Sequence, residues 1–277
     1  MIRFTVLGSG STGNATLIST ETTTVLVDAG LSAREIVRRL AEVGVSHEKL
    51  DAIIVTHEHS DHVGGLRILM RSVNCPVYVS RKTEDSYYWT RKTNGNGENE
   101  GIKRRDALKD RTVEIESDHE FRIGDIDFDP FRVPHDAADN FGFVAKHEGV
   151  CIATLTDFGH ITSLIKEKLR GCDAIMIESN HSRDMLRSCP VYTWDLKQRI
   201  SSRTGHLSNE DLGEWLANDF DGSARHIILA HLSQRANEPH LALLMAKTAL
   251  QMRSPLFQPE TEISLSFHNR PTDWIAF

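Results

Sequence analysis

Cysteine is scarce in this chain and falls into no pattern. Cys75, Cys151, Cys172 and Cys189 are the four among 277 residues, and none forms a CxxC pair. That excludes a disulfide-stapled scaffold and a zinc ribbon; buried free thiols in a reducing compartment are the expectation. Long apolar runs are missing as well. No stretch approaches the roughly eighteen apolar residues of a membrane-spanning helix, so no membrane partner is expected. The start, Met1-Ile-Arg-Phe-Thr-Val-Leu-Gly8, reads as a first strand and a turn, without the layout of a secretion signal. A cytoplasmic protein is therefore expected. Positive charge is not in surplus: the formal net charge is −7. The surface as a whole does not favour polyanions, and an anionic substrate has to be drawn by a local field.

What is present is an ordinary globular composition, 39% hydrophobic and 26% charged, with one dense exception. After the apolar run Ala52-Ile-Ile-Val55 the chain reads Thr56-His57-Glu58-His59-Ser60-Asp61-His62. Packing does not call for such a cluster, because each buried imidazole needs a hydrogen-bond or metal partner. Metal chemistry does. His57 and His59, two apart in an extended segment, point to one side and can share a cation. Asp61 and His62, from the following turn, can hold a second.

Strands are expected at Ile2–Leu7, Ala15–Ser19, Thr24–Asp28, Ala52–Val55 and Val77–Val79. More follow at Thr112–Glu116, Phe121–Ile123, Asp127–Val133, Gly142–Lys146, Cys151–Thr156, Ala174–Ile177 and His226–Ala230. Ser32 with Glu35 reads as a capping box opening a helix whose apolar positions are Ile36, Val37, Leu40 and Val43. Further helices are expected at Val63–Arg71, around Tyr87, and at Ile161–Leu169, Trp194–Ser201, Glu210–Ala217 and Pro239–Met252. The Asn/Gly-rich stretch from Asn94 to Gly101 reads as a flexible loop, followed by the basic triplet Lys103-Arg104-Arg105, a solvated charge run or a phosphate contact. Strands precede helices in each half and no linker intervenes, which predicts one α/β domain over residues 1–277, two sheets with helices outside.

Three further ionisable residues stand where apolar strands end, the usual place for a site to assemble. His135 follows Phe131-Arg-Val-Pro134, Asp157 follows Cys151-Ile-Ala-Thr-Leu-Thr156, and His231 follows His226-Ile-Ile-Leu-Ala230. The series HxHxDH, then His, Asp and His, resembles the metallo-β-lactamase-fold hydrolases. The resemblance covers essentially the whole chain and implies a four-layer αββα metallo-β-lactamase sandwich. It assigns one metal to His57, His59 and His135, and the other to Asp61, His62 and His231, with Asp157 bridging. It implies that the nucleophile is a hydroxide between the ions. Mn²⁺, Zn²⁺ and Fe²⁺ all suit such mixed His/carboxylate ligation.

Histidine at position 59 departs from the Glu of flavodiiron oxidoreductases, and the segment after Asp157 is too short for a β-CASP insertion. Leu7-Gly-Ser-Gly-Ser-Thr-Gly-Asn14, Asp28-Ala-Gly-Leu-Ser32, Thr56 to His62 and Val133 to Ala138 resemble the YycJ/WalJ branch of bacterial nuclease-like hydrolases. So do Glu178-Ser-Asn-His181, Gly205-His-Leu-Ser-Asn209 and His231-Leu-Ser233. That resemblance implies metal-dependent phosphodiester hydrolysis, with 5′→3′ exonuclease action on DNA. The alternative is a small-molecule hydrolase of the same fold, for a cyclic phosphodiester, thioester or lactone.

His206 precedes Ser208-Asn-Glu-Asp211, a helix-start pattern whose free amides favour an anion, and it is the candidate proton donor to a leaving alkoxide. Asp61 and Asp157 complete the catalytic set. His181 and Ser208 are candidate phosphate contacts. Asp28 and Asp136 are candidates for fixing histidine orientation, and the Gly8–Asn14 loop, lacking the lysine of a nucleotide P-loop, for a turn that supports the site.

Overall fold

The computed structural model describes residues 1–89, 100–252 and 260–277. Fourteen strands occur among them, here named β1 to β14 in chain order. They are β1 (Arg3–Gly8), β2 (Ala15–Ser19), β3 (Thr24–Val27), β4 (Ala52–Ile54), β5 (Val77–Val79), β6 (Thr112–Glu114) and β7 (Phe121–Ile123). Then come β8 (Ile126–Arg132), β9 (Phe141–His147), β10 (Val150–Leu155), β11 (Ala174–Glu178), β12 (His226–Ala230), β13 (Glu262–Leu265) and β14 (Ile275–Ala276). The chain divides into two compact units. The first is Met1–Pro130, Ala137–Phe141 and His268–Phe277; the second is Phe131–Asp136 and Gly142–Phe267.

The first unit holds a mixed sheet in the order β14-β1-β2-β3-β4-β5-β6. Neighbours from β14 to β3 are antiparallel, and from β3 to β6 parallel. Parallel pairs need crossover connections, and the sequence supplies them as helices. Helix Ala33–Glu42 leaves β3 through Ser32, whose hydroxyl accepts from the Glu35 amide. The Glu35 carboxylate turns to Arg38 and Arg39 instead, so only half of the expected capping box forms. Ile36 and Leu40 then bury against Leu7, Leu17, Leu26 and Ile53. The antiparallel hairpin β7–β8 is not part of that sheet.

The second unit repeats that logic. Successive strands β13, β12, β11, β10 and β9 of the other seven-stranded sheet lie here, with β9–β10 antiparallel and β10 through β13 parallel. Helices Ser163–Leu169 and Asn209–Asn218 lie in the crossovers, and Leu212, Trp215 and Leu216 bury with Ile175, Ile177 and Ile227. Because β10, β11 and β12 are parallel and in register, their carboxyl ends lie along one edge.

Several expectations need correction. The single helix expected over Val63–Arg71 is two short pieces, Ser60–Val63 and Leu66–Leu69, separated at Gly64-Gly65. Glycine lowers helix stability at such a junction, and here a Cβ on Gly65 would meet the Leu31 carbonyl oxygen at 2.0 Å. The Asn94–Gly101 loop expectation falls mostly outside the described residues, but Glu100–Leu108 is helical, including the basic triplet. Arg104 stacks on the Tyr87 ring at 4.6 Å, and the exposed Arg105 on Tyr88 at 5.2 Å. Helix Arg183–Ser188 and strands β13 and β14 have no counterpart among the sequence-based expectations. No described helix is long and apolar enough to cross a membrane.

Candidate metal centre

In the first unit the histidine cluster occupies the loop that leaves β4. The His57 ring lies 4.7 Å from that of His59 and 4.1 Å from that of His62, centroid to centroid. Neighbouring backbone cradles this loop. The Asp61 carbonyl accepts from the Asn14 amide at 2.7 Å, and the His62 carbonyl from the Ala29 amide at 2.8 Å. A Cβ on Gly30 would stand 1.6 Å from the Asp61 carbonyl oxygen, so only glycine permits this approach. The expected supporting role of the Gly8–Asn14 turn is thus visible at Asn14.

Asp28 holds the cluster from beneath. Its carboxylate lies 2.7 Å from His62 Nδ1 and accepts from both the amide and the hydroxyl of Thr56. With the Thr56 hydroxyl donating to Asp28, its lone pair is left to accept from His57 Nδ1 at 3.0 Å. Asn14 Nδ2 lies 3.0 Å from His62 Nε2, which agrees with a lone pair on that nitrogen. Asp61 is the open member: its carboxylate is 20% exposed and 3.7 Å from His62 Nε2.

In the second unit the edge formed by β10, β11 and β12 delivers Asp157, Glu178 and His231. Ligating atoms of Asp157, Glu178, His206 and His231 lie within 4.8 Å of one another. Glu178, wholly buried, is the hub. One oxygen contacts His231 Nδ1 at 2.7 Å and His206 Nδ1 at 2.9 Å, while the other accepts from the amides of Phe158 and Leu207. Burial alone would raise its pKa, but the two imidazoles outweigh burial and lower it. For His206, burial pulls the pKa down, and the Glu178 and Asp157 charges more than reverse that, so the ring holds its proton more firmly than usual. His135 Nδ1 is 3.1 Å from the Gly205 carbonyl, and burial lowers its pKa against the pull of Asp157.

This donor set fits divalent metal. His57, His62, His135 and His231 each have an acceptor at Nδ1, a hydroxyl, carboxylate or carbonyl oxygen, which places the lone pair on Nε2. Metal-ligating histidines are held in the same way. Asp136 lies 3.4 Å from His135 Nε2 while Arg199 holds its carboxylate in a two-point contact, and the Gly205 carbonyl sits on His135 Nδ1. Glu178 is the residue that sequence reasoning missed. Its one signal was an acid closing an otherwise apolar strand, Ala-Ile-Met-Ile-Glu. Thr56 and Gly205 likewise entered only as motif members.

His181 and Ser208 meet in a β-bridge beside His206. Ser208 caps helix Asn209–Asn218, accepting from the Asp211 amide at 3.0 Å. Burial pushes the pKa of His181 down to about 4, so the ring is neutral at pH 7.

Residues 23–232 match the family described as Beta-lactamase superfamily domain. The fold agrees: the metallo-β-lactamase-fold protein YhfI of Bacillus subtilis superposes with a TM-score of 0.68 at 17% identity, over 99% of this chain and all of that one. Exodeoxyribonuclease YycJ of Bacillus anthracis is 35% identical over 260 residues, 90% of this chain and 89% of the relative. Exodeoxyribonuclease WalJ of Streptococcus pneumoniae is 36% identical over 244 residues, 87% and 85% of the two chains. The chain belongs to the beta-lactamase superfamily and, within it, to the family of YycJ and WalJ.

Proposed function

We propose that this chain is a two-metal phosphodiester hydrolase that degrades DNA from a 5′ end, working as one catalytic domain in the cytoplasm. The observation that carries the reading is the near full-length likeness to two exodeoxyribonucleases in a chain whose histidines are anchored through Nδ1.

One ion is assigned to His57, His59 and His135. The other is assigned to Asp61, His62 and His231, with Asp157 shared. Mn²⁺ and Zn²⁺ are the proposed occupants, with Fe²⁺ also compatible. When bound, such ions polarise a phosphoryl group and make water acidic enough to serve as a nucleophile near neutral pH. The chain's own residues do the rest. Asp28 keeps the His62 ring in its ligating tautomer, and Glu178 does the same for His231. His206, held protonated by Glu178 through Nδ1, carries a proton at Nε2 to give to the departing alkoxide. His181 and Ser208 are assigned to phosphate contact.

End-labelled duplex DNA, incubated with protein loaded in turn with Mn²⁺, Zn²⁺ and Fe²⁺, tests the reading. Mononucleotides should be released progressively from the 5′ end, and His59→Ala or Asp157→Ala should lower the rate at least about a thousandfold. Undiminished digestion by either variant removes the assignment. Faster turnover of a thioester than of any phosphodiester favours the small-molecule alternative.

A further inference from the structure

Beside His206 the second unit contains a cleft of about 290 Å³. It is walled by Trp194 and Leu186, rimmed by Arg183, Arg187 and Lys197, and floored by His181 and Ser208. Three features occur together in it. It gathers three cations against one carboxylate, Asp211, on a chain whose net charge is −7. It presents an indole that is 70% exposed beside those cations. And its floor holds the neutral His181, 2% exposed, whose Nδ1 has no hydrogen-bond partner.

The cations are not equally committed. Arg183 is ion-paired with Asp211. Among the described residues Arg187 pairs with Asp184, and the two side chains are 77% and 89% exposed, so the pair contributes little. Lys197 Nζ donates to the Arg187 backbone carbonyl, which neutralises none of its charge. Two positive charges are therefore available to an anion. The volume lies near the lower end of small-molecule sites, about 300 Å³, enough for one nucleotide and too little for a duplex. An aromatic face beside cations is how proteins hold a single strand without reading its sequence, since every base has a π-face.

We propose that this cleft is a subsite for one nucleotide of the DNA strand being degraded, with its base stacked on Trp194 and its phosphate paired with Arg187 and Lys197. The subsite rests on the nuclease reading and deepens it. It explains why an acidic protein carries a basic cleft next to the proposed proton donor. Digestion would draw a single strand, not the duplex, across this face.

The test uses the full chain and a 5′-phosphorylated single-stranded oligonucleotide, with inorganic phosphate as a competitor. In chelator, where nothing is cut, adding the oligonucleotide to wild-type protein should quench tryptophan fluorescence, and Trp194→Ala should abolish the quench. With metal, Trp194→Ala should raise KM for the oligonucleotide about tenfold and Trp194→Phe should restore it. Arg187→Glu should flatten the salt dependence of binding by about 0.7 in log–log slope for each phosphate left unpaired. Thermal unfolding of each variant checks that it is folded. Inhibition by inorganic phosphate that Arg187→Glu relieves supports the phosphate assignment. Wild-type KM and quench in the variants, together with active digestion, overturn the subsite while the nuclease reading stands. A Trp194-dependent quench in a protein that cuts no DNA keeps the subsite and removes the nuclease.

Discussion

The two units solve one problem, holding imidazoles in a ligating tautomer, with opposite sequence economies. In the first unit the ligand candidates are neighbours in the chain, and one carboxylate, Asp28, braces one histidine directly and another through Thr56. In the second, residues more than fifty positions apart meet at a sheet edge, and one carboxylate, Glu178, braces two histidines and two backbone amides. The contiguous cluster derives its geometry from a short loop cradled by backbone. The dispersed one derives it from strand register, and so depends more heavily on a single buried group.

The sharpest test of that difference is Glu178→Ala. It strands two imidazole N–H groups and two amides inside the second unit, so a loss of about 3–5 kcal/mol in urea unfolding is expected. Asp28→Asn should cost less, about 1–3 kcal/mol, because the amide can still accept from Thr56. Its larger signature should be metal affinity, weakened about 10- to 100-fold in competition with a chelator. If Asp28→Asn proves the more destabilising of the two, the contrast between hub and brace is wrong.

Asp125 provides the comparison without any histidine. Burial would raise its pKa, but bonds from Thr23, Thr20 and Thr22 outweigh that and lower it to about 2. A depressed carboxylate contributes stability that is complete above its unfolded pKa, near 3.8, and disappears as pH falls through about 2. Asp125→Asn should therefore lower stability slightly at pH 7 and leave it unaltered below pH 2, as followed by acid titration of circular dichroism. This is the smallest of the three effects, because the group lies near the surface.

Legibility from sequence follows the same division. The Thr56–His62 cluster could be read because its chemistry is dense and local. His135, Asp157 and His231 could be read because each interrupts the end of an apolar run, and a strand's end is visible in one dimension. The role of Glu178 could not, since an acid at a strand's end looks like an ordinary terminator until register sets it beside β10 and β12. The helix Arg183–Ser188 is too short and polar to show a period, and without it the cleft beside Trp194 has no wall. Trp194 read only as the first residue of a helix. Its exposure is a tertiary fact.

Asp28, Asp157 and His231 all have positive φ, at 64°, 59° and 55°, and each comes directly after a strand or within two residues of one. That left-handed region is closed to β-branched residues and entered at small cost only by glycine, asparagine, aspartate and histidine. Two constraints thus act on each position, one from chemistry and one from the turn. Most substitutions at these places therefore meet a backbone cost as well as a chemical one. Replacing Asp157 by glutamate keeps the charge but puts a longer side chain on a left-handed backbone, so a change at this position has to satisfy the turn as well as the chemistry.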